Sequence, residues 1–195
     1  RRDRQLRAAL EYLAANGVTT VHDMGSFSNV EVFRRAHERE ALTVRIYAAV
    51  PLAQWQELEA DVARNGRGDE WLTTGVLKGF MDGSLGSHTA AMHEPFTDAP
   101  DDRGMLINTL VDMRSWVRDA DAAGLHVVVH AIGDRAIRDL LDIYLDVAEA
   151  NGERDRRFRI EHAQHIHPDD IPRFAELGVI AAMQGVHCTS GGPWI

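Results

Sequence analysis

Leu125–His126–Val127–Val128–Val129–His130, then Ala131–Ile132–Gly133–Asp134, then Arg135–Ala136–Ile137–Arg138–Asp139–Leu140–Leu141, is the stretch that decides the fold. Its opening run is short, rich in β-branched residues and too apolar to leave one face wet, so it reads as a fully buried strand. The spacing then changes. Ile137, Leu140, Leu141, Tyr144, Leu145 and Ala148 recur at three- and four-residue intervals and predict a helix with these residues inward. Asp134 is expected to cap that helix, and Asn151–Gly152 to close it. A buried strand that feeds a helix is one β/α unit of a parallel sheet.

The same grammar extends in both directions. Upstream, a helix is predicted from Asp3 to Asn16 on a Leu6, Leu10 and Leu13 stripe, then a strand Val18–His22. Ser28 with Glu31 reads as a capping box for a helix with Val32, Phe33 and Ala36 inward. A strand from Val44 to Val50, a helix starting at Pro51 and ending near Asn65–Gly66, and a strand Val76–Phe80 follow. Asp82 to Gly104 is a long polar stretch without periodicity, and Leu110 to Ala123 is helical. Downstream come a strand Phe158–His162, a helix whose first turn holds Pro168, Asp169 and Asp170, and a last strand Val179–Met183. Six β units alternating with helices fit two architectures, an open doubly wound sheet and an arc of a (β/α)8 barrel. His22–Asp23–Met24–Gly25–Ser26 is not a glycine-rich phosphate turn, which argues against a dinucleotide site.

At 195 residues, with 45% apolar and 26% charged residues, the composition is that of a globular protein and one domain is expected. A net charge of −9 without a basic stripe argues against nucleic acid and anionic membranes as partners. No apolar run is long enough to span a bilayer, and no signal-peptide core stands at the start. The single cysteine, Cys188, excludes an internal disulfide framework and points to a reducing, cytoplasmic setting. The chain opens on Arg1 and ends in Gly191–Gly192–Pro193–Trp194–Ile195; neither reads as a natural terminus, so a segment of a longer protein is expected.

In a parallel barrel, chemistry gathers where strands end. The polar residues there are His22, Lys78, Asp82, His130, Asp134, Glu161, His162 and Gln184. Lys78, His130 and His162 come from three different strands, and neutral imidazole is a natural zinc ligand. Each also has an ordinary reading. Either histidine alone is as well explained as a core residue bonded to backbone carbonyls, and Lys78 by snorkelling outward or pairing with Asp82. His88 and His93 in the polar loop, and His165 and His167 at a helix start, read as surface residues. His187 lines a pocket or merely sits in its loop. Cys188 has no C-x-x-C partner for a thiolate metal site.

Four local words carry more than spacing does: G-V-T-T-V-H-D-M-G at Gly17–Gly25, V-L-K-G-F-M-D-G-S-L-G-S at Val76–Ser87, H-A-I-G-D-R-A at His130–Ala136, and R-I-E-H-A-Q at Arg159–Gln164. In this order they resemble the amidohydrolase superfamily over essentially the whole chain, and within it the YtcJ-like (amidohydrolase 3) branch that includes N-substituted formamide deformylases. The resemblance implies an α/β fold, a partial (β/α)8 TIM-type barrel comprising strands two to seven. The first and eighth strands and the accompanying small β-sandwich would be absent from residues 1–195. By motif, Lys78 matches the fourth-strand lysine, expected to be carboxylated and to bridge or support the metal. His130 and His162 match the fifth- and sixth-strand ligands, so that Lys78, His130 and His162 would hold one or two zinc ions. Asp82, Gly83, His88 and Gln184 are the expected substrate contacts.

The family's first-strand His-x-His pair and eighth-strand aspartate, its general base, have no counterpart here; His165–Ile166–His167 has the letters but precedes a helix. Gln184–Gly185 replaces the usual Q-P, Ser190–Gly191–Gly192–Pro193 lacks the usual acid, and His88 stands where arginine is common. The implied activity is metal-assisted hydrolysis of a small-molecule amide or formamide, with the Asp82–Gly104 loop as a lid or wall. Two alternatives stand beside it: a truncated, inactive barrel segment with open sheet edges, and an open-sheet small-molecule binding domain.

Overall fold

Every strand pairing described is parallel, as apolar runs without a wet face require. The structure, a computed structural model, describes residues 1–190; the comparison made above at Gly191, Gly192 and Pro193 lies outside the described residues. Contacts divide the chain into two compact units, Arg1–Lys78 and Gly79–Ile195.

The first unit contains α1 (Arg2–Ala15), β1 (Thr20–Met24), α2 (Phe27–His37), β2 (Arg45–Pro51) and α3 (Trp55–Asn65), followed by most of β3 (Leu72–Phe80). β1 pairs with β2 from Thr20 opposite Arg45 to Met24 opposite Ala49, and β2 pairs with β3 in turn. Val44, Ile46, Ala48 and Val50 supply buried apolar surface. A two-bond fork from Arg34 to Asp61, at 2.8 and 2.6 Å, ties α2 to α3. It holds the Asp61 carboxyl below the usual carboxylate range. The expected Ser28–Glu31 capping box does not form. The helix begins earlier, with Ser26 as the N-cap, so Ser28 already lies in the first turn and its hydroxyl meets that of Ser26 at 2.8 Å. β3 is longer than Val76–Phe80 because it continues through Gly75, whose φ of +90° breaks the regular alternation by which a strand is read.

The second unit contains α4 (Leu110–Ala122), β4 (His126–Ala131), α5 (Asp134–Asn151), β5 (Arg159–His162), α6 (Ile171–Glu176), β6 (Ile180–Ala182) and the short α7 (Val186–Ser190). β5 lies between β4 and β6. α5 buries Ile137, Leu140, Leu141 and Tyr144 as expected, but Ile143 and Val147 complete the face, while Leu145 is 38% exposed and Ala148 only partly covered. Asp134 is not the cap. Gly133 is, and Asp134 is the first helical residue, where an acid faces the positive end of the helix. The last strand shrinks from the expected Val179–Met183 to three residues, two of them exposed, and among the described residues it pairs with β5 alone.

The 82–109 segment has no regular secondary structure, yet it is built. Leu85, Ala90 and Phe96 pack with Ile132 into a small apolar core flanked by Met92 and Ala99. Backbone bonds Met92 N to Arg103 O and Phe96 N to Asp102 O fold it on itself, and Ile107 N to Met81 O returns it to the end of β3.

A second polar knot fastens the helices. Asp121, on α4 and wholly buried, accepts from Asn151 Nδ2 at 2.9 Å, Arg154 Nη2 at 2.5 Å and Arg156 Nε at 3.1 Å. It thereby binds the end of α5 and the following loop to α4. Removing the anion strands the buried Arg156 guanidinium, so Asp121→Ala is expected to cost about 3–5 kcal/mol in urea denaturation followed by circular dichroism.

Candidate metal centre

Strand periodicity alone would keep the two motif histidines apart. In the β4–β5 ladder His130 stands opposite Glu161, and Ala131 opposite His162. Side chains of paired residues share a face, so strict alternation sends His162 to the other one. The backbone breaks the rule there. His162 has φ +74° and Ala163 +43°, left-handed values that cost a residue with a β-carbon roughly 1–3 kcal/mol. The imidazole comes round, and the His130 and His162 rings meet edge to face with centroids 4.7 Å apart. Glu161, on the face His162 would otherwise leave to it, forms an ion pair with Arg159.

Each ring is steered by an oxygen. His130 Nε2 donates to the Gly83 carbonyl at 2.7 Å, and Asp82 Oδ1 lies 3.5 Å from the same nitrogen. His162 Nδ1 donates to Gln184 Oε1 at 2.7 Å. Phe80, 43% exposed, leans on His130 with ring centroids 5.5 Å apart. Gly83 must be glycine: a β-carbon there would meet Thr89 Oγ1 at 2.0 Å and Thr89 Cβ at 2.5 Å.

Asp82 has 0% of its surface exposed. Oδ2 accepts Ala91 N at 2.9 Å and Gly133 N at 2.8 Å, and Oδ1 accepts Ile132 N at 3.0 Å. Burial pushes its carboxyl up to about 6, outweighing the downward pull of these donors. Among the expected substrate contacts, Gly83 and Gln184 thus touch the histidines directly and Asp82 adjoins His130. His88 is engaged inside the loop, its ring stacked on Phe96 at 4.6 Å and its Nε2 3.2 Å from Asp98. Lys78 is the last residue of the first unit, opposite Pro51 in the β2–β3 ladder and 7% exposed, so it does not snorkel into solvent.

One neighbour was left unresolved by the sequence. His187 Nε2 lies 3.1 Å from Gln184 Oε1, and its ring is 6.0 Å from that of His162. The three-residue spacing from Gln184, in a turn closed by His187 N to Gln184 O, was the available signal. A cleft of about 540 Å³ in the first unit, lined by Leu6, Leu10, Val21, Phe33 and Ile46 among others, holds none of Lys78, His130 and His162.

The donor chemistry suits a borderline metal ion. Two imidazoles lie within reach of a common point, each with one nitrogen directed to an oxygen acceptor, the pattern that orients metal-ligating histidines. They fit as part of a ligand set: among the described residues no group of three or more His, Cys, Asp or Glu side chains is placed to hold a metal.

Parallel β/α units with imidazoles meeting at the ends of successive strands define the chain as an α/β protein of the partial (β/α)8 barrel class. It belongs to the amidohydrolase family, whose model matches residues 2–195. It is 37% identical to the protein LONG AFTER FAR-RED 3 of Arabidopsis thaliana over 96% of this chain and 34% of that protein. With YtcJ of Bacillus subtilis (strain 168) it shares 29% identity over 99% of this chain and 36% of that protein, in keeping with the YtcJ-like expectation. An uncharacterized metal-dependent hydrolase from Pyrococcus furiosus superposes with TM-score 0.85 at 28% identity, covering 96% of this chain and 39% of that one. The chain therefore spans about a third of the length of the curated relatives it matches.

Asp82→Asn is expected to be disruptive despite its similar shape. An amide offers one acceptor oxygen, so its NH2 would face either Ile132 N–H or the pair from Ala91 and Gly133. Urea denaturation should show a loss of about 1–3 kcal/mol, with faster amide exchange at Ala91 and Gly133.

Proposed function

We propose that this chain is part of a metal-dependent hydrolase acting on non-peptide carbon–nitrogen bonds of the amide or formamide kind, with zinc as the metal. The observation that carries the reading is the His130–His162 pair, brought together by a strained backbone and oriented by two separate oxygen acceptors. The similarity to a structure named as a metal-dependent hydrolase supports it.

Under this reading His130 and His162 are ligands, and Lys78 joins them as a carbamate. Carboxylation would turn the Lys78 amine, 7% exposed, into an oxygen anion suited to a metal. Bound there, a divalent ion would polarise a substrate carbonyl and acidify a water molecule. The chain's own residues bind and orient. Gly83 holds His130 through its carbonyl, and Gln184 holds His162. The 82–109 segment forms one wall of the substrate site, with His88 fixed in it by Phe96 and Asp98. Asp82, without exposed surface, serves the site by anchoring that wall beside His130. The general-base role is assigned to none of these residues. The substrate is a small-molecule amide, and the single free Cys188 suits a reducing cytoplasm. No helix among the described residues is long and apolar enough to cross a membrane.

A second reading, a segment that binds a small molecule or metal without turnover, is favoured by one fact: the described acidic and thiol side chains add no third ligand to the two histidines. Metal analysis and formamide hydrolysis by the full-length protein separate the two. The hydrolase reading expects stoichiometric zinc, and a loss of kcat/KM and zinc retention beyond about 100-fold in His130→Ala, His162→Ala and Lys78→Ala. Zinc without turnover favours the second reading, and undiminished turnover by metal-free protein sinks the first.

A further inference from the structure

Gln184 sits where two imidazoles converge. Its Oε1 is 2.7 Å from His162 Nδ1 and 3.1 Å from His187 Nε2, and its Nε2 donates to Ala182 O at 3.0 Å. The orientation of the amide follows from that third bond. A carbonyl oxygen only accepts, so the group facing Ala182 O must be the NH2, and Oε1 must face the rings. An acceptor shared by two rings requires hydrogens on both: Nδ1–H on His162 and Nε2–H on His187. His162 is thereby set in the tautomer whose lone pair lies on Nε2.

We propose that Gln184 is a positioning residue that fixes the tautomer and direction of His162, and that His187 completes the device by pinning the same oxygen. This rests on the metal-centre reading above and gives two residues outside its ligand set a task. His187 can pin Gln184 because the turn after β6 is closed by His187 N to Gln184 O, which brings residue 187 over residue 184. With only Ala182 O and His162 as partners the amide could still swing, since Gln184 follows a three-residue strand of which two residues are exposed. The second imidazole removes that freedom. The need is local: His162 holds a left-handed φ of +74°, and a ring at a strained corner requires an external hold to keep one direction.

The test reads the ring directly. In metal-free, full-length protein labelled with 15N-histidine, long-range 1H–15N correlation spectra report which nitrogen of His162 carries hydrogen. The wild type should show Nδ1–H alone. Gln184→Leu should give a mixture including Nε2–H, and His187→Phe, which keeps an aromatic ring but no donor, a smaller shift the same way. Zinc affinity, measured by competition with a chelator, should fall roughly 10–100-fold in Gln184→Leu and less in His187→Phe. Circular dichroism identifies a variant that fails to fold; if Gln184→Leu is that variant, His187→Phe decides. Nε2–H on His162 in the wild type, or a tautomer unmoved by the substitutions, overturns the proposal. So does a tautomer shift that leaves zinc affinity intact. A wild type that binds no zinc overturns the metal-centre reading instead, and is told apart because the tautomer is read without metal.

Discussion

One carboxylate without solvent organises the second unit. Asp82 stands two residues beyond the end of β3, and its two oxygens take up three backbone N–H groups from elsewhere: Ala91 within the 82–109 segment, and Ile132 and Gly133 at the turn from β4 into α5. Those at 132 and 133 belong to a helix entrance, where the first donors lack intrahelical partners. An anion is the natural group to satisfy them, and its cost is desolvation, visible in a carboxyl raised to about 6. The return is geometric. Holding Ala91 and Gly133 on one oxygen fixes where the long segment crosses the start of α5, and the next residue, Gly83, then presents its carbonyl to His130. The histidine is oriented because the loop is anchored.

Most of this frame could be read in the residues themselves, because it rests on local regularity. Leu125–His130 and Ile137–Tyr144 announce strand and helix by composition and spacing, and both stand within a residue or so of their expected bounds. The misreadings are of local rules, and in one of them a contact from afar does the overruling. Asp134 has the chemistry of an N-cap, but its carboxylate turns to His93 N, forty-one residues away in sequence, and Gly133 takes the cap. Ser28 and Glu31 spell a capping box, yet the chain enters α2 at Ser26. Leu145 has the right spacing for the inner face, but the true stripe turns through Ile143 and Val147.

The candidate centre was legible by type but not by geometry. His130 and His162 end strands, which periodicity shows, and the resemblance of their motifs selected them from ten histidines. Neither source says that alternation would point them to opposite faces or that a left-handed corner at 162 and 163 corrects it. Such a corner leaves no mark in composition when asparagine or glycine is absent, as here. The order within Asp82–Gly104 was equally hidden. Its core of Leu85, Ala90 and Phe96 has no period and closes only against Ile132 from the end of β4.

The two histidines are held by unlike means, and the difference has consequences. Gly83 offers a backbone carbonyl, whose direction is set by the chain path and by the tight approach of Thr89 that admits no β-carbon. It cannot rotate away, so His130 inherits the stiffness of the loop. Gln184 offers a side-chain oxygen after a three-residue strand, and its stiffness must come from its other bonds, to Ala182 O and His187. A strained φ persists only where its surroundings over-determine it, and the ring demanding the most restraint is served by the more mobile acceptor. That mismatch is why the amide needs three partners where the carbonyl of Gly83 needs only a backbone path.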